Sequence, residues 1–345
     1  MIARFDCSMR KFLPPFFSII IVLVVVWIAT NTAERNPSLP AAGGLETATP
    51  VVASVSGQEK RLKDLKTWAC QLQGLEKKGA VTKLAASRYG MVVVEPTCTE
   101  KGSKGFDAKR MVSRIKKSGK LVLAYVNIAE AENWRQYWTW SLTNRAKWPA
   151  YIINGDPDGW VGDYPVAYWD HAWQDLLFSK IVDETLRDGF DGIYMDWVGG
   201  YDEEIVLARA KQDRVDAHEQ MVALLSQIRQ YTRSKDPDFL MIQQNAVGLH
   251  EGYPSAVDAI DGIAEEAVWY DGTAFDDWND KNAMDIKTPP ADTKYYIQNL
   301  SVYQTAGKPV FALEYAVKYK KKAMRLAAQH GYIAYCARRA LSQLS

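Results

Sequence analysis

One short stretch, Gly189–Asp196, constrains the fold more than any other part of the sequence. It reads Gly-Phe-Asp-Gly-Ile-Tyr-Met-Asp, a mostly apolar run that ends in a carboxylate. A run of this length is typical of a buried strand, and the pair Gly199-Gly200 interrupts the chain soon after it. Asp196 is therefore predicted to lie at the carboxyl end of a buried strand, where parallel α/β folds bind their ligands.

The beginning of this stretch returns further along the chain, where Asp261-Gly262-Ile263 matches Asp191-Gly192-Ile193. In both copies a carboxylate follows the first Asp at the same spacing, as Asp196 and as Glu266. Because strand side chains alternate between two faces, equivalent strands place Asp196 and Glu266 on one side and Glu265 on the other. Two carboxylates in one cavity suit glycoside hydrolysis. The alternative interpretation is a pair of helix-capping or loop acids.

Strand-like runs alternate with helix-like segments from about residue 61 to the C-terminus. Amphipathic patterns predict helices over Asp107–Ser118, Ala172–Arg187 and Glu203–Ser234. Eight strands separated by helices are typical of a closed parallel barrel, so the sequence predicts an α/β fold, a (β/α)8 TIM barrel. The predicted strands are Thr67–Leu72, Met91–Glu95, Leu121–Asn127, Gly192–Asp196, Leu240–Asn245, Gly262–Glu266, Val310–Glu314 and Ile333–Cys336.

Several of the predicted strands end in polar residues. A single polar residue at a strand end is most often a cap or a loop acid, but an active site in a barrel is built from the ends of several strands. The number of such positions favours a site at this end of the barrel. These positions are Glu95, Asn127, Asp196, Gln244-Asn245, Glu266 and Glu314.

The N-terminal part of the chain has a different composition. Arg4, Arg10 and Lys11 precede an apolar run that is uninterrupted from Phe16 to Ala29, as in signal peptides and membrane anchors. Residues 1–33 are therefore predicted to be a signal peptide or a signal anchor, which places the body in the periplasm or outside the cell. Residues 34–60 are predicted to be a flexible linker, and residues 61–345 the barrel domain.

Composition excludes some function classes. Lys and Arg together number 42 and Asp and Glu 41, so net charge gives no attraction to nucleic acid, and membrane contact is expected only through the N-terminal segment. The four His are scattered and form no zinc motif, so we expect no metal and no cofactor. Cys70, Cys98 and Cys336 fall in the predicted barrel; export permits a disulfide, but their spacing identifies no pair, and buried free thiols are expected.

An ordered set of motifs runs from Trp68 to the C-terminus: Trp68–Gln73, Leu121–Glu132, Arg135–Trp138, Trp160–Val166, Tyr168–Asp170, Gly189–Asp196, Gln244-Asn245, Glu266–Tyr270 and Glu314-Tyr315. This set resembles the barrel glycosidases related to endo-α-1,4-polygalactosaminidases, glycoside hydrolase family 114, in their extracellular bacterial and archaeal branch. The blocks Gly189–Asp196 and Ala124–Glu132 are the most specific part of the resemblance. It implies a (β/α)8 barrel that acts on a polysaccharide of amino sugars.

The resemblance also implies one catalytic acid on the fourth strand and one on the sixth. These positions are Asp196 and Glu266, the pair that the internal repeat indicates independently. By the same resemblance Asp196 attacks the anomeric carbon, while Glu266 protonates the leaving oxygen and then activates water. Inversion of configuration, with a water as the nucleophile, is the alternative for the same pair.

Further residues at or near the strand ends are predicted to bind substrate. For some of them a structural role is an equally open alternative: Tyr125 as part of the barrel core and Asp170 as a helix N-cap. The predicted substrate-binding residues are Glu95, Tyr125, Asn127, Glu130, Tyr168, Asp170, Asn245, Tyr270 and Glu314.

The sequence departs from the family pattern at three positions: Ala129 and Gly199 stand where Gly and Asp are frequent, and Glu95 where Asp is frequent. Because Gly199 lacks the carboxylate that is frequent at this position, we expect the identity of the substrate to differ more than the catalytic reaction. The predicted lip is acidic, with no Lys or Arg at the strand ends themselves, which favours a cationic amino-sugar polymer. Two alternative functions are a non-catalytic carbohydrate-binding barrel and a metal-dependent polysaccharide deacetylase.

Overall fold

The computed structural model describes residues 57–96, 106–153, 160–273 and 278–345. Eight parallel strands form one sheet in chain order, which confirms the predicted (β/α)8 barrel. Each strand lies within one residue of its predicted bounds at either end. The strands are β1 (Trp68–Gln71), β2 (Met91–Val94), β3 (Leu121–Asn127), β4 (Gly192–Asp196), β5 (Leu240–Gln244), β6 (Gly262–Glu266), β7 (Val310–Glu314) and β8 (Ile333–Cys336).

The sheet curls until its first and last strands meet. Trp68 on β1 donates its indole N–H to the carbonyl oxygen of Ile333 on β8 at 2.8 Å. Beyond the strand ends, the backbone N–H groups of Leu72 and Gln73 both donate to the carbonyl oxygen of Leu341. The seam between β1 and β8 is therefore closed by these contacts around a nearly complete barrel.

Helices surround the barrel. Two short antiparallel hairpins lie after strands, Glu130–Glu132 with Asp163–Pro165 and Tyr270–Gly272 with Asp285–Lys287. The α-helices are Gly57–Lys63, Ala80–Ala86, Ala108–Lys116, His171–Leu176, Asp183–Asp188, Glu204–Asp213, Ala217–Lys235, Ser255–Asp258, Pro290–Thr305 and Lys320–Gln329, with a π-helical turn over Leu177–Val182 and 3₁₀ turns over Arg145–Lys147, Val198–Asp202 and Val247–His250.

The prediction of one long helix over Glu203–Ser234 is wrong, because the segment contains two helices. The first ends where Arg214 adopts a left-handed conformation with φ of 58°. The second begins at Asp216, whose side chain accepts a hydrogen bond from the backbone N–H of Glu219 at 2.9 Å. An N-cap of this kind satisfies a backbone donor that the helix leaves unpaired, so the break has a local cause in the sequence.

Large side chains fill the barrel interior. The ring of Trp68 on β1 lies 6.1 Å from Tyr194 on β4, 5.4 Å from Phe311 on β7 and 6.1 Å from Tyr335 on β8, measured between centroids. Rings from four strands around the sheet can meet only inside it. These contacts and the strand register identify the positions that face the interior, because successive side chains along a strand point to opposite faces.

The repeated Asp-Gly-Ile motif has a structural role at the amino ends of β4 and β6. Asp191 accepts a hydrogen bond from the backbone N–H of Val122 on the neighbouring strand at 2.8 Å. Asp261 accepts the equivalent bond from Met241 at 2.9 Å. Lys116 pairs with Asp191, while Arg229 and Arg233 pair with Asp261. The repeat therefore ties each strand to its preceding neighbour, and this equivalence explains why the acids five residues later share a face.

The glycine of the repeat differs between its two copies. A Cβ on Gly192 would lie 2.3 Å from the carbonyl oxygen of Leu240, whereas one on Gly262 would meet the flexible tip of the Ile242 side chain at 3.0 Å. We expect Gly192→Ala to cost more than about 3 kcal/mol of unfolding free energy and Gly262→Ala only about 1–3 kcal/mol. Chemical denaturation of the two variants measures the difference, and equal losses would contradict the close strand approach at Gly192.

The described residues bear on other expectations only in part. The predicted leader, residues 1–33, lies outside them, and within them no helix is long and apolar enough to cross a membrane. The first described helix starts at Gly57, inside the predicted linker. Cys70 and Cys336 are buried free thiols, whereas Cys98 lies outside the described residues.

Candidate active site

Asp196 lies at the carboxyl end of β4 and is held through both of its carboxylate oxygens. Oδ2 accepts a hydrogen bond from the hydroxyl of Tyr125 on β3, and Oδ1 accepts one from the backbone N–H of Trp197 at 2.8 Å. Trp197 turns the chain with φ of 59°, and a Cβ on Gly200 would lie 2.2 Å from its ring. The glycine therefore makes room for the Trp197 ring and so for the turn that fixes Asp196.

Glu266, at the carboxyl end of β6, is held in a comparable way. Asn245 donates its side-chain N–H to Glu266 Oε2 at 2.8 Å and accepts the backbone N–H of Glu266 at 3.0 Å. Asn245 can make both contacts because it leaves β5 in a left-handed conformation with φ of 57°. The other oxygen, Oε1, accepts a hydrogen bond from the hydroxyl of Tyr315.

The two carboxylates act on each other electrostatically. Burial raises the pKa of Asp196 to about 7; the hydrogen bond from Tyr125 opposes this shift, and the negative charge of Glu266 adds to it. The pKa of the Cys70 thiol is raised mainly by burial and further by the negative charges of both Glu266 and Asp196. Cys70 is therefore near both carboxylates. Asp196 and Glu266 therefore lie close enough to interact, on the same face of the sheet, and below about pH 7 Asp196 in the unliganded site holds a proton.

Glu265 faces away from this cavity, as strand alternation predicts. Burial raises its pKa well above the usual range, and its charge acts on Tyr296 and Tyr303 of the helix Pro290–Thr305. Only 4% of Glu265 is exposed. It therefore belongs to the layer between the barrel and its helices, beside the site but outside it.

The end of β3 contributes a second group of polar side chains. Asn127 donates to Glu130 Oε2 at 2.8 Å and accepts the backbone N–H of Glu130 at 2.9 Å. Arg135 forms a pair of hydrogen bonds with Glu132, at 2.6 and 3.0 Å, and also pairs with Glu95 at the end of β2. These contacts fix the loop next to Tyr125, and Arg135 supplies a cation that makes this lip less acidic than the strand ends alone predict.

Four of the predicted substrate-binding residues lie in structural contacts instead: Tyr168, Asp170, Tyr270 and Glu314. The Tyr168 hydroxyl donates to the carbonyl oxygen of Ala217 at 2.6 Å inside the protein. Asp170 caps the helix His171–Leu176 by accepting the backbone N–H of Ala172, the alternative left open by the sequence. Tyr270 is only 3% exposed, with its ring stacked on Tyr319.

Glu314 lies outside the site in which the sequence predicted it. Leu313, one residue earlier, pairs in register with Glu266. The side chains of Leu313 and Glu266 therefore lie on the same face of the sheet, and the side chain of Glu314 lies on the other face. Glu314 is fully buried and accepts the backbone N–H groups of Trp269 and Tyr270, and burial raises its pKa to about 7. Its observed contacts hold the segment after β6 against the outside of β7.

Tyr315 is a site residue that the sequence did not predict. It belongs to the motif Glu314-Tyr315, in which Glu314 is the residue that the sequence predicts to bind substrate. The signal was available in the alternation of β7, because Phe311 and Leu313 face the interior and the next interior position is 315. Arg339, whose guanidinium lies 4.4 Å from the Tyr315 ring centroid, carries no sequence signal, since it reaches the site from the loop after β8.

Across the described residues, no group of three or more His, Cys, Asp or Glu side chains is arranged to hold a metal ion. The polar groups around the two acids are hydroxyl, amide and guanidinium groups, which donate hydrogen bonds to carboxylates. The arrangement is suited to holding the two carboxylates in fixed orientations at one end of the barrel.

Comparison with known proteins gives relatives over most of the chain. An uncharacterised protein of Deinococcus radiodurans is 31% identical over 326 residues, covering 92% of this chain and 95% of its own length. An uncharacterised protein of Methanocaldococcus jannaschii is 30% identical over 226 residues, covering 64% of this chain and 61% of its own length. These relatives support a shared fold and family, and their descriptions state no activity.

Solved structures show the same fold at low sequence identity. Aspergillus fumigatus Ega3, solved in complex with galactosamine, has a TM-score of 0.57 and 15% identity, over 81% of this chain and 93% of Ega3. The glycoside hydrolase domain of PelA from Pseudomonas aeruginosa has a TM-score of 0.57 and 14% identity, over 81% of this chain and all of that domain.

The family model described as glycoside-hydrolase family GH114 matches residues 48–345. The match includes every strand of the barrel and both carboxylates of the site, and it confirms the resemblance drawn from the sequence motifs. The chain therefore belongs to glycoside-hydrolase family GH114 and is a glycoside hydrolase.

Proposed function

We propose that this protein is an exported hydrolase of α-linked amino-sugar polysaccharide, similar to a polygalactosaminidase, and that it uses Asp196 and Glu266 as its catalytic pair. The observation that carries the proposal is the position of these two carboxylates at the ends of β4 and β6, on the same face of the sheet, each held by a tyrosine hydroxyl and one further donor. Glycosidases need two such groups on either side of the scissile bond.

In the proposed reaction Asp196 is the nucleophile. It attacks the anomeric carbon while Glu266 gives its proton to the leaving oxygen, so that one C–O bond forms as the glycosidic C–O bond breaks. Glu266, now ionised, then takes a proton from water, and that water releases the sugar from Asp196. The Tyr125 and Trp197 donors hold Asp196 in place for the attack, and they stabilise the carboxylate when it leaves again.

The proposed role of Asp196 predicts the sign of the pH dependence. Its pKa is raised, to about 7, so the carboxyl is protonated below that pH, and a protonated carboxyl is a poor nucleophile. We expect kcat/KM, which reports groups of the free enzyme, to fall as the pH drops below about 7. Rates measured from pH 4 to 9 check this. A loss of activity as the pH rises through 7, with a plateau below it, would instead assign the acid role to Asp196.

A cationic amino-sugar polymer is the proposed substrate class. Ega3, which shares the fold, was solved with galactosamine bound, and Asp196, ionised in the reactive form, places negative charge at the carboxyl end of the barrel. A cleft of one charge sign attracts the opposite sign. A polymer of free amino sugars is cationic, whereas its N-acetylated form is neutral.

Hydrolysis of one polymer before and after N-acetylation tests this proposal. We expect the free-amine form to be cleaved several-fold faster at low ionic strength, with that advantage shrinking as salt screens the charges. Rates that are equal for both forms and insensitive to salt would reject the charge preference. They would leave the two-carboxylate mechanism standing.

Export is proposed from the basic and apolar pattern of the N-terminal sequence. A reporter enzyme that folds only outside the cytoplasm, fused after residue 60, tests it. Reporter activity that requires residues 1–33 supports export, whether the segment is cleaved or retained as an anchor. A reporter that is active only in cytoplasmic form would exclude it.

A further inference from the structure

We propose that Tyr315, held by Arg339, is a positioning residue that fixes the orientation of the Glu266 carboxyl group and its readiness to give up a proton. The inference rests on the proposed catalytic role of Glu266 and extends it to two residues on other parts of the barrel. Tyr315 follows β7 directly, and Arg339 follows β8. Tyr315 donates to Glu266 Oε1, whereas Asn245 donates to Oε2.

Tyr315 has a fixed position. Its backbone N–H donates to the carbonyl oxygen of Tyr270 at 3.1 Å, and 3% of its surface is exposed. The hairpin beside it comes so close that a Cβ on Gly272 would lie 2.7 Å from the Tyr315 carbonyl oxygen. The hydroxyl that donates to Glu266 Oε1 is therefore set by the backbone of β7 and by the hairpin.

Arg339 holds the ring from the other side. Its guanidinium carbon lies 4.4 Å from the centroid of the Tyr315 ring, a cation–π geometry. The Arg339 Nε–H donates to Asp271 Oδ1 at 2.8 Å and to the carbonyl oxygen of Gly272 at 3.1 Å. Arg339 thus links the tyrosine to the hairpin that follows β6, the strand on which Glu266 lies.

Tyr315 is the donor to the ionised Glu266 carboxylate. Burial raises the pKa of Tyr315 well above its ordinary value, and the charge of Glu266 adds to the shift, so the hydroxyl remains protonated and donates. With Asn245 donating to Oε2, each oxygen of Glu266 accepts one bond. Donors of this kind favour the ionised form of a carboxyl group, and they keep it from rotating.

Several other groups also influence the carboxyl group of Glu266, and a pH experiment must account for them. Asp196 and Glu265 carry like charge when they are ionised, Arg339 carries opposite charge, and the pKa of the nearby thiol and phenol groups is raised. These groups are Cys70 on β1, Tyr194 and Asp196 on β4, Glu265 on β6, Tyr315 and Arg339. Removing the Tyr315 hydroxyl alters none of these charges, so its effect can be separated from theirs.

The test compares Tyr315→Phe, Arg339→Met and the double variant with the wild-type full-length protein. For Tyr315→Phe we expect kcat to fall about 10²-fold with little change in KM, and the alkaline limb of the pH profile to move to higher pH by about 0.5–1 unit. Arg339→Met should shift both in the same direction by less. The kcat of the double variant should match that of Tyr315→Phe alone, because Arg339 orients the hydroxyl through the ring. Its pH profile should move further, because the charge of Arg339 also acts on Glu266 directly.

The matched control is Tyr335→Phe. Tyr335 also lies in the barrel interior, but its hydroxyl accepts a hydrogen bond from the backbone N–H of Ser345 and makes none with Asp196 or Glu266. We expect its kinetics and pH profile to match the wild type. A KM increase without a kcat loss in Tyr315→Phe, or additive kcat losses in the double variant, would overturn the proposal.

A second readout does not depend on activity. In protein labelled with ¹³C at glutamate carboxyl groups, the Glu266 signal is identified by its loss in Glu266→Gln. We expect its titration midpoint to move to higher pH in Tyr315→Phe and to stay in place in Tyr335→Phe. An unchanged midpoint in Tyr315→Phe overturns the inference even if the enzyme is active. A shifted midpoint in a protein that cleaves no sugar polymer would support the contact and reject the proposed function instead.

Discussion

Asp196→Asn and Glu266→Gln are each expected to lower kcat/KM by about 10²–10⁴-fold or more while the protein remains folded. Each change keeps the shape of the side chain and removes the ability to act as an acid, a base or a nucleophile. Steady-state release of reducing ends measures the loss. Asp196→Asn should be no less stable than the wild type above pH 7, because it removes a charge whose burial raises the pKa of that carboxyl group to about 7.

Glu265→Gln is the matched control for both variants. Glu265 is adjacent to Glu266 in sequence and lies on the opposite face of β6, where it is buried, whereas Glu266 is half-buried. Its activity should stay within a few-fold of wild type. An inactive Glu265→Gln together with an active Glu266→Gln would mean that β6 is shifted by one residue, since such a shift exchanges the two faces of a strand.

Arg135→Met is expected to cause a large loss of stability. The side chain is buried and pairs with Glu95 and Glu132 at once. Removing it leaves those two carboxylates side by side without the guanidinium that they share. The loss of one member of a buried ionic group typically costs about 3–5 kcal/mol, and urea unfolding of the purified domain measures it.

Two further substitutions make the result specific. Arg135→Lys keeps the charge but cannot form the same fork of hydrogen bonds, so we expect an intermediate loss. Lys60→Met removes the exposed pair with Asp64, which should change stability by less than about 1 kcal/mol. If Arg135→Met were no more destabilising than Lys60→Met, the account of the β3 loop as an ionic cluster would be wrong.

The strands and the positions of Asp196 and Glu266 at the strand ends could be predicted because their signals are local. An apolar run of strand length, a terminal carboxylate and a repeated Asp-Gly-Ile motif lie within a few residues of one another. The repeat was useful for a reason that the sequence did not reveal: its Asp residues tie neighbouring strands together through Val122 and Met241. Two strands anchored alike at one end present the same face at the other.

The less accurate predictions concerned residues whose setting depends on distant parts of the chain. Glu314 ends a strand, as Asp196 and Glu266 do, but its facing is set by the pairing of Leu313 with Glu266. Arg135 meets Glu95 across the ends of different strands, a contact that no spacing in the sequence indicates. Tyr270 carried an aromatic signal for sugar binding, yet packing against Tyr319 encloses it.

The most direct test of the central claim is the action of the purified protein on defined polymers. The protein is incubated with α-1,4-linked galactosamine polymer, its N-acetylated form and a β-linked glucosamine polymer, and the products are separated by mass. We predict shorter oligosaccharides from the α-linked galactosamine polymer with the wild type, and none with Asp196→Asn or Glu266→Gln. Cleavage that persists undiminished in both variants, or a folded wild-type protein that releases no product from any of the polymers, would contradict the account.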